Sequence, residues 1–277
     1  MATLGKIRQA VNRMLRPLGV CLERIPEDQL MGRTHADPFQ NTFGNVVHCL
    51  VPDDTVIDLI RQRSYAANCE LVQGLEKVFF DGDNYLRYRR SLEPLAAFWG
   101  RLALSRKSHL LDVGCALGQL VPFLQELGFS ASYVGMDVAR EFVSSARRRF
   151  GSASGEFHFM QVDACRMPFD DAFFDVVYSR GTLITTYEWK RALEEHLRVS
   201  KKWVLLFQIP FHHGQEETIF FMQHSKIHTS LLCSFTQQAF LSRLPGNAKI
   251  DIRPCGSQLQ VINLGEVRLH DIFVELS

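Results

Sequence analysis

The stretch LLDVGCALGQL, Leu110 to Leu120, runs an apolar segment into a turn of small residues and then into an amphipathic segment. Gly114, Cys115, Ala116 and Gly118 carry little side-chain bulk, so a ligand can approach the backbone there and meet N–H groups at a helix start. Such a turn is a weak signal by itself, and Ala116 stands where many cofactor loops have glycine. About 25 residues later YVGMD ends in Asp137, the spacing at which nucleotide-binding folds place an acid that accepts both hydroxyls of a ribose. QVDA, Gln161 to Ala164, then supplies Asp163, a carboxylate able to accept from an exocyclic amine such as that of adenine. The competing reading makes Gly114 a chain turn and the two acids helix caps. Three such features in register favour a ligand site.

The succession LLDVGCALG, YVGMD and VDACRMPFDDAFFDVVYSRGTL resembles the class I S-adenosylmethionine-dependent methyltransferases. The likeness is to the broad small-molecule group carrying D-A-x-x-x-P-F-x-x-x-x-F-D-V-V, and it covers about Ser105 to Ser277. It implies S-adenosylmethionine as cofactor, with Gly114, Cys115, Ala116 and Gly118 around its methionine part and Asp112 orienting their loop. Asp137 and Val138 would hold the ribose and flank the adenine, Asp163 and Ala164 would contact the base, and Ser179 would lie near the methionine end. In YLRYRR, Tyr85 to Arg90, the resemblance points to Tyr88 and Arg89 as groups that close over the cofactor, an arginine being suited to its carboxylate. The same run also reads as a solvated helix face. Arg147, Arg148 and Arg149 sit at an expected helix C-terminus, where cations complement the dipole, and are read as structural.

A sulfonium makes its methyl group electrophilic, so the enzyme implied must chiefly align a nucleophile, and a sugar-type hydroxyl gains from a base. QIPFHHG places His212 and His213 after the expected fifth strand as base candidates, with Glu216 and Glu217 close behind. His224 and His228 would share one face if that segment were helical, a spacing that can hold a metal, but no H-E-x-x-H pattern accompanies them and no metal is assigned. Relatives often carry Glu-His where this chain has Leu183, Ile184, Thr185 and Thr186, and Tyr178-Ser179-Arg180-Gly181 replaces the Asn-Pro-Pro-Tyr of amide and adenine methylation. The expected activity is O-methylation of a small polar metabolite, with a sugar or glycan unit first because the whole resembles bacterial envelope-glycan methyltransferases. The alternatives are a nicotinamide-dependent oxidoreductase and a non-catalytic cofactor-binding module.

To position these residues the chain needs alternating strands and helices, and after Ser108 short apolar runs do alternate with amphipathic segments. Strands are expected at Leu110–Val113, Ser132–Met136, Phe157–Val162, Phe174–Tyr178, Trp203–Ile209, Lys249–Ile252 and Ile272–Leu276. Helices are expected at Gln119–Leu127, Arg140–Phe150, Glu188–Val199 and Thr236–Leu244. The fold class is α/β, a doubly wound, mostly parallel sheet with the ligand at the carboxyl ends of its strands; the resemblance adds seven strands with the last, Ile272–Leu276, antiparallel. Residues 1–104 are read as a helical extension and lid, and 105–277 as the cofactor-binding domain. Within the extension, 2–24 reads as an amphipathic basic helix, 31–54 as an irregular connection, 56–69 and 70–79 as helical, Asp81–Asn84 as a turn, and Tyr85 to about Leu104 as a helix.

Composition narrows the partners. The 277 residues are 46% hydrophobic and 22% charged, and 31 Lys+Arg against 30 Asp+Glu leave +1, so no basic excess recommends nucleic acid and a small-molecule acceptor is expected. Seven scattered cysteines without a C-x-x-C pair fit neither a disulfide framework nor a zinc site, and suit a reducing cytoplasm. No stretch approaches the ~20 apolar residues of a membrane span. The N-terminal helix would allow a peripheral contact with an anionic membrane surface, or packing on its own domain.

Overall fold

The computed structural model describes residues 46–48, 69–151, 156–224, 229–261 and 265–277. The expected N-terminal helix at 2–24, most of the 31–54 connection and the segment 56–68 lie outside them. The strands are β1 (Val46–His48), β2 (His109–Val113), β3 (Ser132–Asp137), β4 (Phe157–Gln161), β5 (Phe174–Arg180), β6 (Ser200–Phe211), β7 (Thr218–His224), β8 (Thr229–Phe235), β9 (Lys249–Val261) and β10 (Gly265–Glu275). The helices are α1 (Cys69–Phe80), α2 (Gly82–Arg90), α3 (Glu93–Leu102), α4 (Leu120–Glu126), α5 (Arg140–Phe150), α6 (Trp189–Val199) and α7 (Gln237–Leu241).

Seven strands lie in the order β4-β3-β2-β5-β6-β10-β9. β4, β3, β2, β5 and β6 run parallel, and β10 is antiparallel to both of its neighbours, β6 and β9. This is the doubly wound sheet that the alternating pattern predicts, with the reversed last strand that the resemblance implies. β2 and β5 are central and buried on both faces, which is why LLDV and FDVVYS read as near-continuous apolar runs. Leu110, Tyr133, Val176, Tyr178, Leu205 and Phe207 pack on one face with α1 to α5, whereas Leu111, Val113, Val177, Val204 and Leu206 pack on the other with α6 and α7.

Three differences from expectation stand out. β6 is longer than expected, and where β5 stops opposite Phe207, β6 continues to pair Phe211 with Phe235 of β8. Since β10 occupies the other edge of β6 at Phe211, the antiparallel trio β8-β7-β1 extends the sheet above the end of β5. His224 therefore closes a strand rather than lying in a helix, and His228 lies outside the described residues. Asp81–Asn84 is not a free turn, because α2 begins at Gly82; and the helix expected from Tyr85 to Leu104 breaks at Ser91 and Leu92, with Pro94 in the first turn of α3. Finally, α3, within the region read as a helical extension, packs on the sheet, since Phe98 meets Phe273 at 4.4 Å and Trp203 at 5.1 Å between ring centroids.

Candidate active site

The carboxyl ends of β2, β3, β4 and β5 form one rim, and the small-residue loop bridges the first two. Gly114 and Cys115 donate their N–H groups to the Met136 carbonyl at 2.8 and 2.9 Å, which folds the loop back over β3. Gly114 has φ +76°, and a Cβ on it would lie 2.1 Å from Thr182 Oγ1, so no side chain fits. Thr182, which the sequence reading did not single out, fills that place by donating to the Val113 carbonyl at 2.8 Å. Its neighbours Leu183 to Thr185 form a short 3-10 turn, closed by Thr186 donating to the Thr182 carbonyl.

Asp137 faces the loop as required. One carboxylate oxygen accepts the Ala116 N–H at 3.0 Å and the other accepts the Ala139 N–H at 2.9 Å. Each oxygen keeps a second lone pair for a ligand hydroxyl. Burial pushes this carboxyl up to about 6 against the pull of those N–H groups. Next to it Val138 is 37% exposed, one of only five large apolar residues exposed among those described, and so offers an apolar surface beside the acid. Asp163 follows β4 on the same rim, is exposed, and accepts the Cys165 N–H at 2.9 Å, with Ala164 half-buried beside it.

Asp112 lies beneath the loop, 3% exposed, accepting from the Tyr133 hydroxyl at 2.7 Å. Burial, with Asp137 close enough to add repulsion, pushes its carboxyl up to about 7. Cys115 is buried and its thiol is raised by burial, so it acts as a small packing residue. Ser179 stands beside Val113 in the register, but alternation turns its side chain to the α6 face, where its hydroxyl is buried without a hydrogen-bond partner.

The two aromatic-arm residues separate. Tyr88 is buried against Phe79 and lies within electrostatic reach of Asp112 and Arg180, on the face below the loop. Arg89 instead pairs with Glu126 of α4, which also accepts from the Tyr85 hydroxyl, so it is corrected to a brace between α2 and α4. The arginine that links arm to rim is Arg180 at the end of β5, donating to the Ser91 carbonyl and hydroxyl at 3.2 and 2.9 Å and lying over the Tyr88 ring. The SRGTL segment contained it, but no spacing rule marks an arginine whose partner lies 89 residues away.

His212 is corrected as well. It is 4% exposed, its Nε2 is 3.0 Å from the Glu216 carbonyl and its Nδ1 is 2.9 Å from the Ser234 hydroxyl. A carbonyl only accepts, so Nε2 carries the proton and Nδ1 accepts from Ser234. Both nitrogens are thus occupied, desolvation lowers its basicity, and the ring ties β6 to β8. His213, its neighbour, is exposed at the end of β6.

Residues 111–207 match a family described as the methyltransferase domain. In curated proteins, 101 residues are 32% identical to the O-methyltransferase cnsE of Penicillium expansum, covering 36% of each chain. A stretch of 114 residues is 32% identical to the demethylmenaquinone methyltransferase of Thermus thermophilus, covering 41% of this chain and 49% of that protein. The matches thus span between about a third and a half of these relatives. The crystal structure of magnesium protoporphyrin IX methyltransferase from Synechocystis PCC 6803 with bound SAH shares the fold with a TM-score of 0.55 at 15% identity, over 81% of this chain and 100% of that one.

Proposed function

We propose that this chain is an S-adenosylmethionine-dependent methyltransferase acting on an oxygen of a small polar acceptor, a sugar or glycan hydroxyl being the first class to try. The observation that carries the reading is the joining of loop and acid: the Gly114–Gly118 turn, held open by positive φ at both glycines, is tied through Ala116 to the carboxylate of Asp137. The residues present fit the cofactor. The small-residue loop from Gly114 to Gly118 would lie along its methionine part, with Thr182 already packed beside Gly114; Asp137 retains lone pairs for its ribose hydroxyls, and Val138 with Asp163 and Ala164 offers an apolar and a hydrogen-bonding side to its base. The oxygen reading is supported by the O-methyltransferases among the relatives.

When bound, the cofactor supplies an electrophilic methyl on sulfur. The protein's task is then to hold an acceptor oxygen in line, exclude water and take up the proton that the oxygen releases as its bond to carbon forms and the carbon–sulfur bond breaks. His213 is the group proposed to receive that proton, because it is exposed just beyond β6 while His212 has no nitrogen to give. Incubation of candidate hydroxyl acceptors with S-adenosylmethionine, followed by mass spectrometry, should show a gain of one methylene unit. His213→Ala should slow turnover by about 10²-fold or more, within the range of general-base catalysis, and leave cofactor affinity intact. Unchanged turnover removes His213 as the base, and no methylated product removes the proposed activity.

A further inference from the structure

We infer that Gln208 is an acceptor-binding residue, its amide held over the rim by a bulge in β6 to receive the hydroxyl that is to be methylated. The inference rests on the methyltransferase reading above and adds to it the group that recognises the acceptor.

Between β6 and β10 the register pairs Ile209 with His270 but Leu206 with Ile272, so Phe207 and Gln208 together oppose Asp271 alone. Phe207 keeps its place in the core beneath α3, and Gln208 is the inserted residue. Bulges of this kind re-aim a side chain and recur beside active sites. Gln208 takes φ +61°; of the four non-glycine residues with positive φ among those described, the other three are alanines. A long side chain in that conformation is strained, and such strain persists only where the surroundings enforce it. Here they do: the Gln208 N–H donates to the carboxylate of Asp271 at 3.1 Å, and Asp271 is 2% exposed with Arg180 and Arg253 in electrostatic reach.

The result is an amide in a specific place. Gln208 Oε1 lies 3.3 Å from where a Cβ on Gly181 would stand, and Gly181 precedes Thr182, the residue that covers Gly114 of the cofactor loop. Gln208 is half-buried, and its amide lies against the bare backbone of Gly181, next to the segment that packs on the loop. An amide oxygen accepts from a hydroxyl without removing its proton, so it seats the neutral acceptor, whose single O–H turns from the amide to another group when the proton is released. A neutral hydroxyl is therefore the acceptor chemistry that fits. Asp271 acts through Gln208 as a positioning residue.

Gln208→Gly tests this, since glycine adopts the bulge conformation freely and only the amide is lost. Ala172→Gly relieves a similar backbone conformation, φ +52°, at the amino end of β5 and serves as the control. Methyl transfer from tritiated S-adenosylmethionine would be counted with a protein-free metabolite extract supplemented with catechol, methyl α-glucoside and benzoate, alongside S-adenosylhomocysteine calorimetry and thermal melts. The expected result is a melting temperature no lower than wild type in both variants, unchanged S-adenosylhomocysteine affinity, and at least a tenfold fall in labelling efficiency, carried mainly by KM, for Gln208→Gly alone. Wild-type labelling kinetics in Gln208→Gly overturn the inference, as does a lower melting temperature with lost S-adenosylhomocysteine binding, which would make the residue structural. A wild-type protein that binds S-adenosylhomocysteine but labels nothing overturns the methyltransferase reading, and this inference with it.

Discussion

Asp112 and Asp137 are both acids on the same sheet face, yet their surroundings give them different work. Asp137 receives two backbone N–H groups and stays at the ligand edge, whereas Asp112 has the Tyr133 hydroxyl and a low-dielectric setting under the loop. A carboxyl raised from 3.8 to about 7 favours the protonated fold. Its stabilising contribution is complete below about 3.8 and is lost as pH rises through 7, an effect of as much as ~4 kcal/mol. Melting wild type and Asp112→Asn across pH 4 to 8 should show wild type losing ground to the variant as pH rises; parallel curves would contradict the assignment. Spacing pointed to Asp137 and the family resemblance to Asp112, but neither carries information on desolvation. The same limit applied to His212 and His213, identical in sequence terms, of which one is locked by Glu216 and Ser234 and the other is exposed.

Among the elements, the central strands were legible because burial on both faces leaves uninterrupted apolar runs, and α5 was located to the residue because its polar and apolar positions alternate with helical period. What escaped was set by contacts remote in sequence. β7 and β8 read as a His-containing helix or loop until their pairing, and the Phe211–Phe235 bond to β6, are seen. The arginine run of α5 was legible as structural, though its specific contacts, Arg147 to the Phe159 carbonyl and Arg149 over Phe80, go beyond the dipole argument. The arginine joining the arm to the rim is likewise chosen by tertiary geometry, at Ser91. Ser91→Ala should cost about 2 kcal/mol in urea unfolding, since its hydroxyl accepts from Arg180 and donates to the Tyr88 carbonyl and each hydrogen bond is worth about 1 kcal/mol. A loss below a few tenths would mean that the hydroxyl adds little to the packing of Phe98 on Phe273 and Trp203 and to the Arg180 bond to the Ser91 carbonyl.

At the scale of the molecule, a parallel sheet gathers its strand ends on one rim, and this chain carries a second set of candidate groups on β5, β6 and the turn beyond β6. The loop, Asp137 and Val138 form one side; Arg180, Gln208 and His213 come from β5, β6 and the turn beyond. No helix of the described residues is long and apolar enough to cross a membrane. The account depends on the first side accepting an adenosyl ligand, and calorimetric titration of the whole chain with S-adenosylhomocysteine measures that directly. It should show one site per chain for wild type and at least tenfold weaker binding for Asp137→Asn at an unchanged melting temperature. No heat of binding to the wild type, or equal affinity in the variant, would contradict it.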